Sequence, residues 1–291
     1  MTFRLVQELA ADGVRVAVAC RVLRVSTSGY YGWCGRPRSV RAREDEALTV
    51  QIREIHVCSR GTYGAPRVHA ELRLGHGVRC SRKRVARLMR AARLCGIYRR
   101  RWRQTHPVAP VHEDLVQRRF VADAPDRLWL TDITEHATRE GKVYLAAVLD
   151  VYARRIVGWS IADHLRSELV VDALEMARWR RRPVPGQTVL HSDRGAQYTS
   201  WAFGHRLRAA GLLGSTGRVG SAYDNAMMES FFSTLQRELL DRRRWQTRQE
   251  LASAIFEWME AWYNPRRRHT SIGNLSPVAY ERLYTTQVHA A

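Results

Sequence analysis

Three acidic side chains stand where carboxylates could do chemistry. Asp132 lies in an apolar run at residues 127–136, Asp193 directly follows a second run at 188–192, and Glu229 lies in the stretch 223–240. Carboxylate oxygens are the ligands Mg²⁺ takes, with positions left open for water and phosphate. A pair of ions about 3.5–4 Å apart can activate an attacking oxygen and stabilise a leaving one, the chemistry of phosphodiester transfer. Three carboxylates gathered without a cation repel one another. Singly, each acid reads as a cap or a solvated charge. Jointly, with 35 residues between Asp193 and Glu229, they read as a metal set if the fold brings them together.

The elements that must position them are legible. Residues 223–240 hold no Pro or Gly, and Asp224 or Asn225 can cap their start. Met228, Phe231, Phe232, Leu235 and Leu239 give this helix an apolar face, with Glu229, Ser233 and Gln236 on the opposing side. Strands are expected at 127–136, 142–151 and 154–162, and their short connections make an antiparallel meander. A helix capped by Ser167, a strand at 188–192, a helix from Ser200 and a strand at 212–216 follow. Residues 218–222 are expected to be mobile. This order is that of an α/β ribonuclease H-like fold, a mixed five-stranded sheet with flanking helices. Strands one and four are then neighbours, which puts Asp132, read as ending strand one, beside Asp193.

Charge points to the partner. Lys plus Arg number 48 against 28 Asp plus Glu, a net +20. Residues 1–121 hold 25 basic and 9 acidic residues, and the remainder 23 and 19, so the grip on a polyanion is expected in the N-terminal part. Two helix-turn-helix outlines lie there. One covers 1–35, with Ser26 as a cap. The other, at 44–103, has Pro66 opening one helix and Ser81 capping the next. Arg82, Lys83, Arg84, Arg87, Arg90, Arg93, Arg99, Arg100, Arg101 and Arg103 follow with no acid between them, and Tyr98 and Trp102 are interleaved. Such a run can be a solvated face; its place on the last helix of the outline favours DNA contact.

A linker at 104–125 separates these modules from a core at 126–241, and a helical tail fills 242–291. Cys20, Cys34, Cys58, Cys80 and Cys95 show no CxxC spacing, which fits free thiols in a reducing cytoplasm and excludes a paired Cys/His zinc site. No membrane span or signal peptide is read.

The segments 129–134 (WLTDIT), 191–200 (HSDRGAQYTS) and 224–239 (DNAMMESFFSTLQREL) resemble the DDE core of bacterial insertion-sequence transposases related to retroviral integrases. The likeness is closest to OrfB of the insertion-sequence-three group. Tyr263-Asn264-Pro265, His269 to Gly273, Ser276-Pro277 and Tyr280-Glu281 resemble that family's tail, and 44–100 its helix-turn-helix module.

The resemblance implies a DNA transposase in which Asp132, Asp193 and Glu229 hold Mg²⁺, as two ions with Mn²⁺ able to substitute. It implies cleavage at the element's terminal repeats and transfer of the freed 3′-OH into target DNA. It also implies homo-oligomers on double-stranded DNA and an upstream-frame product, OrfA, as fusion or partner. The chain, which starts with its own Met, is then expected to be one part of the active protein.

The sequence departs from the family at Gln236, where a basic residue usually stands seven positions after the catalytic Glu; Arg237 lies beside it as a candidate DNA contact. Two other readings stay open: a catalytically defective DNA-binding derivative, and a ribonuclease H-like nuclease without strand transfer. Outside the acids, His191 reads as structural, Gly195 as backbone clearance, and Gln197 and Tyr198 as packing or DNA contacts. Phe256, Trp258, Trp262 and Tyr263 read as core. Arg266, Arg267 and Arg268 read as a phosphate clamp or a solvated turn.

Overall fold

The computed structural model describes residues 2–37, 39–97, 121–193, 195–216 and 226–290. The readings made on Tyr98, Trp102, Arg99, Arg100, Arg101, Arg103, most of 104–125, 218–222, Asp224 and Asn225 fall outside them.

Helices α1 (Thr2–Ala11), α2 (Val16–Val22) and α3 (Thr27–Cys34) pack around Val6, Ala19, Cys20 and Tyr30. Ser26 caps α3 as expected, accepting from the Gly29 amide at 3.0 Å. Helix α4 (Val40–Cys58) starts earlier than expected, because Ser39 caps it and the basic stretch before residue 44 is already helical. Its acids therefore sit in the second turn and serve a tertiary role. Asp45 accepts from Arg84 Nε at 2.7 Å and Arg87 Nη2 at 2.6 Å, and Glu44 accepts from Arg84 Nη2 at 3.1 Å. These bonds tie α4 to α6 (Arg82–Ala91), which Ser81 caps; Pro66 lies in the first turn of α5 (Ala65–Leu74), between them.

Strands β1 (Leu128–Thr138), β2 (Gly141–Asp150) and β3 (Arg155–Ala162) form the expected meander. Strands β4 (Val189–Ser192) and β5 (Leu213–Thr216) add in parallel beyond β1, giving the order β3-β2-β1-β4-β5. β2 is nearly all apolar because both faces are covered. Val143, Leu145, Ala147 and Leu149 join one core, and Ala146 and Val148 the other. The sheet is the mixed five-stranded ribonuclease H-like sheet that the element order implied.

Helices α7 (Ser167–Arg181) and α8 (Trp201–Ala209) cover one face. Ser167 does not cap α7; it takes the first helical position, Arg166 precedes it without a side-chain cap, and Glu168 meets the positive end of the helix. α7 lies so close to β3 that a Cβ on Gly158 would stand 2.2 Å from the Ala173 carbonyl oxygen and 2.7 Å from the Ala177 Cβ. Gly158→Ala is therefore expected to cost about 1–3 kcal/mol by overpacking. Urea unfolding checks this, and an unchanged midpoint would contradict the close approach.

The other face is covered by α9 (Ala226–Glu238) and by α10 (Arg248–Glu257), which continues as a π-helical stretch, Trp258–Tyr263. Leu48, Ile52, Leu72 and Val85 of α4–α6 share this core with Leu130, Leu145, Phe231 and Trp258. Trp258, Trp262 and Tyr263 are buried as read, while Phe256 is half exposed and meets Trp159 edge-on. The chain closes with α11 (Pro277–Ala290), whose Tyr280 and Tyr284 pack on Tyr152.

Arg267 and Arg268 do not form a solvated turn: Arg267 is buried and Arg268 half buried, each against a carboxylate. Arg267, 4% exposed, grips Glu238 of α9 through Nε at 3.1 and 3.0 Å and through Nη2 at 2.8 Å. Arg67 of α5 approaches the same carboxylate at 3.7 Å. Arg268 pairs with Glu71 of α5, and its amide donates to Tyr63 Oη at 2.7 Å. This clasp fastens the helical module to α9.

Candidate active site

Asp132 lies in the middle of β1, not at its end. On one side it is opposite Ala147 of β2, and that ladder continues to Thr138. On the other side the parallel ladder stops at Leu130↔His191. It is β4 that ends here, so Asp193, one residue beyond Ser192, comes up beside a β1 that runs on. Alternation puts Asp132 on the same sheet face as Leu128 and Leu130, the face α9 covers.

Asp132 is mostly buried, and the Ile133 amide donates to its Oδ1 at 2.8 Å. Burial pushes its carboxyl up to about 6; the Ile133 bond opposes this, and the charges of Asp193 and Glu229 add to it. Two acids distant in sequence thus reach Asp132. Asp193 is exposed, and the Gly195 amide holds its Oδ1 at 3.0 Å. A Cβ on Gly195 would come within 3.1 Å of that oxygen, so the glycine does supply clearance. Glu229 is exposed on α9, whose Met228, Phe231 and Leu235 are buried and whose Phe232 and Leu239 are half buried. Among the described residues, no three His, Cys, Asp or Glu side chains are gathered closely enough to hold an ion.

The loop after Asp193 is fixed from below. Tyr198 is buried against Phe203, and its hydroxyl meets Thr131 Oγ1 at 3.2 Å, next to Asp132 in the chain. Burial raises that phenol well above its ordinary range. His191 Nδ1 meets Ser215 Oγ at 3.0 Å, joining β4 to β5, a structural role as read. Gln197 donates to the Leu165 carbonyl at 3.2 Å. Gln236 donates to Asp241 in the 3-10 turn that follows α9, and Arg237 beside it is half buried.

Of the basic run on α6, Arg82, Lys83 and Arg90 are exposed. Arg84 and Arg87 are committed to the acids of α4. Sequence reading missed this pairing, and it missed Glu238. The available signal for the first was charge alone: an acidic triplet at 44–46 and an acid-free basic run on α6.

Residues 43–102 match the HTH-like domain family, and residues 122–222 and 211–277 match Integrase core domain families. The chain is 38% identical over 281 residues to the transposase for insertion sequence element IS629 of Shigella sonnei, covering 94% of this chain and 93% of that protein. It is 36% identical over 274 residues to transposase InsF for insertion sequence IS3A of Escherichia coli (strain K12), covering 91% and 93%. The chain belongs to the IS3 family of transposases. In this transposase the integrase core is the ribonuclease H-like sheet, and the HTH-like match covers α4–α6, so DNA is the partner class. The HTLV-2 integrase catalytic core domain, solved in complex with magnesium, is similar over 55% of the transposase and 98% of that domain, with TM-score 0.41 and 14% identity. Among the described residues of the transposase, no helix is long and apolar enough to cross a membrane.

Proposed function

We propose that this transposase cuts DNA at the ends of its insertion sequence and joins the freed 3′-OH to target DNA, with Asp132, Asp193 and Glu229 as the metal-holding residues. The observation that carries this reading is placement: Asp132 lies on the sheet face that α9 covers, Asp193 follows the end of the neighbouring strand β4, and Glu229 lies on α9. The donor set fits a hard divalent cation: all three donors are carboxylates, and a positive charge would offset the penalty that burial and repulsion impose on Asp132. When bound, Mg²⁺ ions supply activation of the attacking oxygen and neutralise charge at the leaving one.

The protein's own contribution is positioning. The Ile133 and Gly195 amides fix one oxygen each on Asp132 and Asp193. The buried face of α9 fixes the backbone that carries Glu229. Arg82, Lys83 and Arg90 are the described basic side chains on α6 with no acidic partner among the described residues, and they are assigned to DNA contact together with Arg99, Arg100, Arg101 and Arg103. Gln236 leaves Arg237 as the candidate contact on α9. Action on the nucleoid in the cytoplasm, as a homo-oligomer with OrfA fused or in partnership, completes the reading.

The test is strand cleavage and joining on a labelled element end. Products are expected with Mg²⁺ or Mn²⁺ and none in excess chelator. Cleavage without joining would instead favour a nuclease. Chelator-resistant cleavage would sink the metal assignment.

A further inference from the structure

A small cavity of about 120 Å³ lies against α9 on the side away from Glu229. Met227, Ser230, Phe231 and Thr234 line it, and a turn of about 100° per residue puts them across the helix from Glu229. The cavity is thus about one helix diameter, ~10 Å, from that carboxylate. It also touches Leu149, which pairs with Leu130 two positions before Asp132.

The walls are basic. Arg67, Arg154 and Arg267 all line the cavity. Among the described residues, Glu238 is the one carboxylate paired there, with Arg267 at 2.8 Å and Arg67 at 3.7 Å. Arg154, in the turn between β2 and β3, has no ion-pair partner among the described residues. Three guanidinium groups therefore face a single acid. Arg267 and His269 are 4% and 7% exposed, so the charged wall is built in and not assembled from mobile surface chains. His269 adds no charge: burial and the three arginines hold its pKa well below the usual histidine range. Burial and the neighbouring Arg267 likewise push Arg67 down. Ser230, Thr270 and Ser271, which carry hydroxyls, also line the cavity.

Guanidinium forks with short hydroxyls are the donor set for a tetrahedral oxyanion. We propose that this cavity is a phosphate site, taking a phosphate carried by the DNA backbone or free in solution. An anion there offsets the repulsion among Arg67, Arg154 and Arg267, which Glu238 alone leaves partly uncompensated. Bound to a backbone phosphate, the site would hold a strand behind α9 while Glu229 faces the opposite side.

The test uses the full chain and two arms, neither of which requires cleavage, so it stands apart from the strand-transfer reading. In the first, inorganic phosphate is titrated against thermal unfolding at constant ionic strength set with chloride. The wild type is expected to be stabilised. Arg154→Gln is expected to bind phosphate at least about tenfold more weakly, through loss of one charge-assisted contact. Arg154→Lys should restore part of the response. In the second arm, the salt dependence of binding to duplex element ends is compared. A slope of log K against log salt shallower by about one in Arg154→Gln assigns the site to a backbone phosphate. A lost phosphate response with an unchanged slope assigns it to the free anion. Identical behaviour of wild type and Arg154→Gln in both arms overturns the site.

Discussion

Asp132→Asn is expected to lower strand cleavage by about 10²–10³-fold or more, the scale on which removal of one preorganised electrostatic group acts. The variant should nonetheless fold. Asparagine keeps an oxygen that can accept from the Ile133 amide, now at 2.8 Å from Asp132 Oδ1. The sign of the stability change sets this site apart from a structural one. Burial and two like charges raise the Asp132 carboxyl from 3.8 to about 6, so its ionised form costs stability, and that cost grows as pH rises through this range. Above it, asparagine removes the cost. Measured in chelator near neutral pH, Asp132→Asn should therefore melt no lower than the wild type, and Glu229→Gln should lose cleavage in the same way. A variant that melts much lower, or that cuts at the wild-type rate, would contradict the assignment.

Glu238→Ala is expected to have the largest effect on stability, about 3–5 kcal/mol, because removing one partner of a buried ion pair leaves the other charge uncompensated. Arg267 would be left 4% exposed with no carboxylate, close to Arg67, whose distance to the same acid is 3.7 Å. The expected drop in melting temperature is on the order of 10 °C. Glu238→Gln retains hydrogen-bond acceptors and should lose less. A loss under about 1 kcal/mol would place Glu238 among ordinary surface pairs.

Much of this was written in local pattern. The strands, the meander and the caps Ser26 and Ser81 follow from apolar runs, short connections and hydroxyls before helices, and the sheet order from the succession of elements. The position of Asp193 at a strand end follows from the short apolar run before it. What escaped the sequence was non-local. Nothing near Asp132 records where β4 stops pairing with β1, because β1 continues unchanged against β2. The basic run on α6 looks uniform, yet acids some 40 residues away claim Arg84 and Arg87 while Arg82 and Lys83 stay exposed. Arg268 and Tyr63 are 205 residues apart, a separation over which no periodicity signals a contact. The start of α4 ahead of the module boundary read at residue 44 escaped for a local reason: basic residues in its first turn oppose the helix dipole, and the Ser39 cap with tertiary packing outweighs them.

The clasp of Arg267 and Arg268 on α5 and α9, with one apolar core running from α4–α6 into the sheet, has a geometric consequence. The surface that would grip DNA and the carboxylates that would cut it cannot turn independently. The molecule would then act as a ruler: the distance between the bases recognised and the bond broken would be set by the width of the protein, and the cut would fall at a constant offset whatever sequence lies between.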